Sequence, residues 1–338
     1  MAEQSSTTLQ LSIAMTTIGM MQITDENTTT SSSSSSLSSS SHRTGFYFRC
    51  AYLVVGVVGT ATNALILYAM VASKQQKKHV LIVNQNALDL FTCSMIVITN
   101  SLKLCNVHLS GSVGYWLCTL LLSECLVWIG TFGSVINLAS ITVERYLIVF
   151  GKKPRSWMTY AAVAVAWIVS FVYNVAGVFP TTAVIQGRCY AFAIGMTATT
   201  RILSFVANFV SFYVVVLFIF IFCYWRILTV IRRQAKVMAG HDAAGPNAAA
   251  AQAHYNQIQS NVVKTMIFVS AFYAVSYLPS YTYYLYLLLD PYVRPDGLYA
   301  SVFVTYLYTC SNPFVYATQF SPVKQVLVRL IRCKKTSE

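Results

Sequence analysis

Four ionisable side chains stand well inside apolar runs of the chain: Asp89, Glu124, Glu144 and Arg145. A carboxylate at mid-span costs roughly 2.5–3.5 kcal/mol to insert, so Asp89 must face protein and find hydrogen-bond partners there. Glu144 and Arg145 are adjacent, so on a helix they do not face each other squarely. Both nonetheless fall at a packed, partly dry boundary, where a guanidinium needs a carboxylate or a partner chain's carbonyls. Such a pair can also simply anchor a helix at the lipid headgroups. The four charges form no continuous relay, and no catalytic triad, metal-ligand cluster or phosphate loop accompanies them. An enzyme is therefore not expected.

The elements that carry these charges are membrane spans. The chain is 56% hydrophobic and only 10% charged, with a mean hydropathy of +0.58. Apolar blocks lie at 48–72, 80–103, 113–149, 157–180, 200–230, 262–289 and 298–319. Each exceeds the roughly 18 residues a spanning helix needs. The third block carries Ser134, Asn137 and Ser140, small polar groups that call for protein rather than lipid around them. At about 1.5 Å per residue, Cys118 to Val149 would run close to 48 Å, so that helix must tilt or protrude from a core about 30 Å thick. The fold class expected is an all-α membrane protein, a seven-helix bundle with a short amphipathic helix after span 7.

Basic residues orient the bundle. They follow span 1 (Lys74, Lys77, Lys78), span 3 (Lys152, Lys153, Arg155), span 5 (Arg226, Arg232, Arg233, Lys236) and span 7 (Lys324, Arg329, Arg332, Lys334, Lys335). The positive-inside rule then puts the C-terminus in the cytoplasm and the N-terminus outside. The net charge of +13 is a topology signal. Nucleic-acid binding would need a soluble basic face, and none is present.

Three regions follow: an extracellular, disordered Ser/Thr-rich segment at 1–45, the spanning domain at 46–320 and a cytoplasmic helix with a short tail at 321–338. Asn27 opens a glycosylation sequon on the outer side. No cleavable signal peptide is convincing, and span 1 serves as the insertion signal. There are nine cysteines. Cys118 and Cys189 both fall in the oxidising outer compartment and can bridge, but Cys50 and Cys105 also lie near that side and leave other pairings open. Cys333 follows a basic amphipathic stretch and is a candidate palmitoylation site. Pro279 in span 6 and Pro313 in span 7 each remove a helical hydrogen bond, making these spans the expected bending elements.

The order of motifs resembles the rhodopsin-like (class A) family of G-protein-coupled receptors. It rests on Asn63, Asn86-Ala-Leu-Asp89, Cys118 with Cys189, Glu144-Arg145-Tyr146, Trp167, Leu278-Pro279, Asn312-Pro313-x-x-Tyr316 and Phe320, one or more per span over about residues 46–334. The resemblance implies that Arg145 meets a heterotrimeric G protein when span 6 swings outward, with Tyr224 and Tyr316 moving in to support it. It implies a Cys118–Cys189 bridge. It implies an interior polar pocket of Asp89, Ser134, Thr309, Asn312 and Asn63 that can hold an allosteric sodium ion, with no other cofactor. Four departures stand out. Tyr277 replaces the usual tryptophan, span 5 has no proline, and Gln259 stands where an acid often locks the arginine. Cys118 lies 27 residues before Arg145, two more than usual, which points to a bulge or a longer outer turn.

Ligand class is approached by elimination. An amine receptor of this family would carry an aspartate where this chain has Val127, and a retinal pigment a lysine where it has Tyr306. The remaining ligand is extracellular, a peptide or a small molecule. Its expected lining is Glu124, Val127, Trp128, Tyr277, Tyr281, Tyr284 and Tyr306. Glu124 either pairs with Lys103 or Arg201, or receives a cationic group of the ligand. The rival readings are a secondary transporter or channel, which would want paired half-helices at mid-membrane, and a non-signalling scavenger of the same fold. The expected location is the plasma membrane.

Overall fold

The structure, a computed structural model, describes residues 34–152, 154–191, 197–239, 246–289, 296–319, 324–326 and 328–329. Asn27, Phe320 and Cys333 lie outside the described residues, as does most of the amphipathic stretch before Cys333. Tyr316 and Gln259 sit on described helices, but their side chains lie outside.

The helices are α1 (Ser34–Ala72), α2 (Val80–Leu104), a short α3 (Gly111–Leu117), α4 (Cys125–Val149), α5 (Ser156–Val178), α6 (Ala198–Phe209), α7 (Val215–Ala239), α8 (Pro246–Leu289) and α9 (Asp296–Gln319). Five stretches among the described residues are long and apolar enough to cross a membrane: Arg43–Ala72, Val80–Leu104, Gly111–Val149, Ser156–Thr181 and Ala198–Arg233. Helices α8 and α9 pack beside them, α9 against α1 and α8, and α8 against α7. The apolar part of Gly111–Val149 is 72% buried, against 22% for Ser156–Thr181, so this stretch is the axis of the bundle.

The distribution of polarity suits lipid rather than water. Val54, Leu65, Ile168, Val172, Phe218, Ile221 and Trp225 face outward, while Asn63, Asn84, Asp89, Ser134, Asn137 and Asn312 are buried. With no water outside the helices at membrane depth, side-chain polar groups are satisfied between helices. Gly59 permits the closest approach of α1. A Cβ there would overlap both the Cys93 and the Cys310 sulfur atoms.

Two expectations need revision. First, α1 begins at Ser34, inside the segment expected to be disordered. Once a spanning helix has nucleated, each added turn costs little, even for poor helix formers such as serine. Second, the block 113–149 is not one helix. A π-helical turn at Cys118–Leu122 follows α3, and α4 restarts at Cys125 after Glu124, whose φ is 63°. The two surplus residues between Cys118 and Arg145 are taken up here. Span 5 also carries a π-helical turn, at Val210–Val214. The hairpin of β1 (Ala183–Ile185) and β2 (Arg188–Tyr190) is antiparallel, with Val184 opposite Cys189. The Cys118–Cys189 disulfide joins it to the π turn, with Cα atoms 5.3 Å apart. Cys50 and Cys105 are not bridged.

Candidate functional site

The middle of the bundle holds a hydrogen-bonded polar core on α2, α4, α5 and α9. Asp89 is fully buried. Ser134 Oγ donates to its Oδ1 at 2.8 Å, and Asn312 Nδ2 donates to its Oδ2 at 2.8 Å. These two of the expected pocket residues meet the carboxylate. The other two turn to backbone. Asn63 Nδ2 donates to the Gly59 carbonyl at 3.0 Å, and Thr309 Oγ1 to the Thr305 carbonyl at 3.5 Å.

Four further residues complete the core, and sequence reasoning did not place them in it. Trp167 Nε1 donates to Asn84 Oδ1 at 2.9 Å. Asn84 Nδ2 donates to Asn137 Oδ1 at 2.9 Å. Asn137 Nδ2 donates to the Leu81 carbonyl at 2.9 Å and to Gln85 Oε1 at 2.8 Å. Gln85 Nε2 then donates to Ser134 Oγ, and lies 3.4 Å from each carboxylate oxygen of Asp89. The available signal was Gln85 at one helical turn before Asp89, the spacing that puts both on one face.

At the end of α4 nearer Phe150, Arg145 Nη2 lies 3.9 Å from Glu144 Oε2, with the two side chains 19% and 21% exposed. That is the edge of ion-pair range. Tyr146 packs against Phe150 and Phe222, ring centres 4.6 and 6.0 Å apart. One turn earlier, the Tyr224 hydroxyl is 3.0 Å from Thr142 Oγ1 and 2.9 Å from Ser270 Oγ. This side chain of α7 therefore ties α4 to α8. His79, just ahead of α2, is a neighbour that sequence reasoning missed. Burial pushes its pKa down to about 4, and the positive charges of Arg145 and Lys78 push the same way.

Pro279 lies within α8 and Pro313 within α9. Beside Pro279 the two helices are stitched together. Ser280 Oγ is 2.9 Å from Thr305 Oγ1, and Thr305 Oγ1 donates to the Ser276 carbonyl at 3.4 Å. A side chain from a neighbouring helix thus lies where the proline weakens the ladder.

The expected ligand lining divides into five groups. Glu124, at the break before α4, receives Lys103 Nζ at 2.6 Å on Oε1 and the Tyr306 hydroxyl at 3.2 Å on Oε2. So of the partners open to Glu124, Lys103 is the one in contact. Val127 and Tyr306 pack with Tyr52, Ile96 and Tyr299. Trp128 stacks toward Phe132, which lies 4.3 Å from Phe212. Tyr281 and Tyr284 of α8 join Phe205 and Phe209 of α6 and Tyr213 of the π turn that follows it, and the Tyr281 hydroxyl donates to Asn208 Oδ1 at 2.8 Å. Tyr277 lies deeper, its ring 4.5 Å from Tyr273 and 5.6 Å from Tyr308. It is almost wholly buried and packs as core.

A family profile described as 7 transmembrane receptor (rhodopsin family) matches residues 62–316. Among solved structures, the crystal structure of squid rhodopsin superposes with a TM-score of 0.71 at 16% identity, covering 86% of this chain and 86% of that one. At that identity the likeness speaks for the fold. Comparison with curated protein sequences finds no match.

Proposed function

Since the chain belongs to the rhodopsin family of seven-transmembrane receptors, we propose that it binds an extracellular ligand and activates heterotrimeric G proteins by outward movement of α8. The family is one of multi-pass, non-enzymatic signalling receptors. The observation that carries the reading is the bridge Thr142–Tyr224–Ser270, which holds α8 against α4 just inside Arg145. When α8 swings away, this bridge opens and the arginine gains a cleft that a partner can enter. Pro279 supplies the weak point about which α8 bends.

The receptor sits in the plasma membrane with its N-terminus outside and its C-terminus in the cytoplasm, as the basic residues between spans require. The ligand is a peptide or small molecule other than a monoamine or retinal. In support, Val127 is buried among aromatic rings and the Tyr306 hydroxyl is engaged with Glu124. Neither position offers the charged or Schiff-base partner those ligands need.

The test is second-messenger output in cells expressing the full chain, screened against a broad ligand library and normalised to surface expression. Arg145→Ala is expected to reach the surface and abolish G-protein output. Wild-type coupling by that variant would remove the reading.

A further inference from the structure

The family resemblance implies a sodium ion beside Asp89, and the fit of this chain to such an ion can be judged from its own residues. A hard cation there takes oxygen ligands. The room between the two carboxylate oxygens and the Ser134 hydroxyl is instead filled by the amide nitrogen of Gln85. The residues do not fit the ion as they are arranged.

The orientation of that amide is forced. Indole nitrogen only donates, so Trp167 Nε1 must meet the oxygen of Asn84. The nitrogen of Asn84 then meets the oxygen of Asn137. The nitrogen of Asn137 meets two acceptors, the Leu81 carbonyl and the oxygen of Gln85. Gln85 is left with its N–H groups aimed at Asp89 and Ser134. Flipping it would set oxygen against carboxylate at one end and nitrogen against nitrogen at the other. Every donor in the series points the same way, an arrangement in which each bond polarises the next. Gln85 is itself fully buried. An entering cation would have to displace it from Asp89, Ser134 and Asn137 at once.

We propose that the Gln85 carboxamide is a built-in occupant of this cavity, standing where a sodium ion would sit, so that the receptor is indifferent to sodium until residue 85 is shortened. The inference rests on family membership and on the polar core, and signalling plays no part in its test.

The experiment follows thermal unfolding of the purified full-length receptor in detergent, with sodium chloride exchanged for choline chloride at constant ionic strength. Binding is read in parallel by the 23Na NMR linewidth. The wild type is expected to show neither a shift in Tm nor sodium-specific broadening. Gln85→Ala, and Gln85→Leu as a variant that keeps apolar volume, are expected to unfold earlier in choline. The alanine variant should gain a sodium-dependent rise of roughly 2–5 °C near ten times the dissociation constant. Asp89→Asn added to it should erase the rise. A sodium-dependent rise in the wild type that Asp89→Asn removes would overturn the proposal, with no need of any change at residue 85. So would a folded Gln85→Ala that stays flat in sodium, because the amide would then not be standing in for an ion.

Discussion

The hydroxyl of Tyr224 lies 2.9 Å from that of Ser270, and the same oxygen lies 3.0 Å from the hydroxyl of Thr142. Three neutral groups thus connect three helices, α4, α7 and α8, one turn inside Arg145. A neutral hydrogen bond contributes about 0.5–1.5 kcal/mol. Removing one bond of the bridge should move a two-state balance by about two- to twelvefold. Ser270→Ala is expected to raise ligand-independent second-messenger output within that range, with surface expression unchanged. Output at the wild-type level would mean that the bridge does not hold the quiet state.

Glu144 restrains Arg145 more weakly than charge alone suggests. At 3.9 Å, with both side chains about a fifth exposed, the pair is worth up to about 1 kcal/mol. Glu144→Gln should therefore increase basal output by up to about fivefold. In the double variant with Ser270→Ala the free energies should add, so that the two fold-increases multiply, since the two devices share no atom. A lower basal signal at equal surface density would be the contrary result.

The pair of Lys103 and Glu124 at 2.6 Å is 12% and 18% exposed. Removing one partner from such a site leaves a charge poorly solvated, at a cost of about 3 kcal/mol. Lys103→Met is expected to lower the Tm of the solubilised receptor by several degrees. Adding Glu124→Gln should restore part of the loss. A thermal double-mutant cycle measures this coupling, and strictly additive losses would show that the two residues act separately.

His79 gives the protein a pH dependence of known sign. Its folded pKa, about 4, lies below its ordinary value of 6.5. The unfolded chain therefore binds the proton more readily, and acid favours unfolding. The contribution is fully present above pH 6.5 and is lost as the pH falls toward 4. The Tm of the wild type should drop across that window, and His79→Gln should flatten the drop. An identical pH profile for both proteins would assign the acid sensitivity elsewhere.

The spans were legible because lipid leaves few solutions. A helix of sufficient length must be apolar, and its ends must be marked by charge. The meeting of Asp89 with Ser134 and Asn312 was implied by the family resemblance, which named Thr309 and Asn63 beside them; burial of the carboxylate explains why the two donors turn to it. Gln85 was harder. Its spacing from Asp89 was visible, but nothing local says that its amide turns inward and is gripped by Asn137 on another helix. The Tyr224 bridge depends on partners 82 and 46 residues away. Such contacts are set by how helices rotate against one another. The count from Cys118 to Arg145 revealed surplus length, yet not that it would gather at Glu124. A non-glycine residue holds a positive φ there because Lys103 and Tyr306 grip its carboxylate.

That break has a mechanical consequence. A continuous helix transmits twist, so torque applied at one end arrives at the other. Between Leu121 and Trp128 the regular ladder lapses. Ser123 N bonds to the Cys118 carbonyl, Glu124 N to that of Leu121, and Cys125 N to a serine side chain. The disulfide meanwhile pins the collar above this point to the β-hairpin. The collar and the shaft of α4 below it are consequently not one rod: the collar is fixed to the hairpin, and the shaft to α2 and α7 through Ser134, Asn137 and Thr142. Twist applied to the collar is therefore taken up at the joint, and little of it arrives at Arg145.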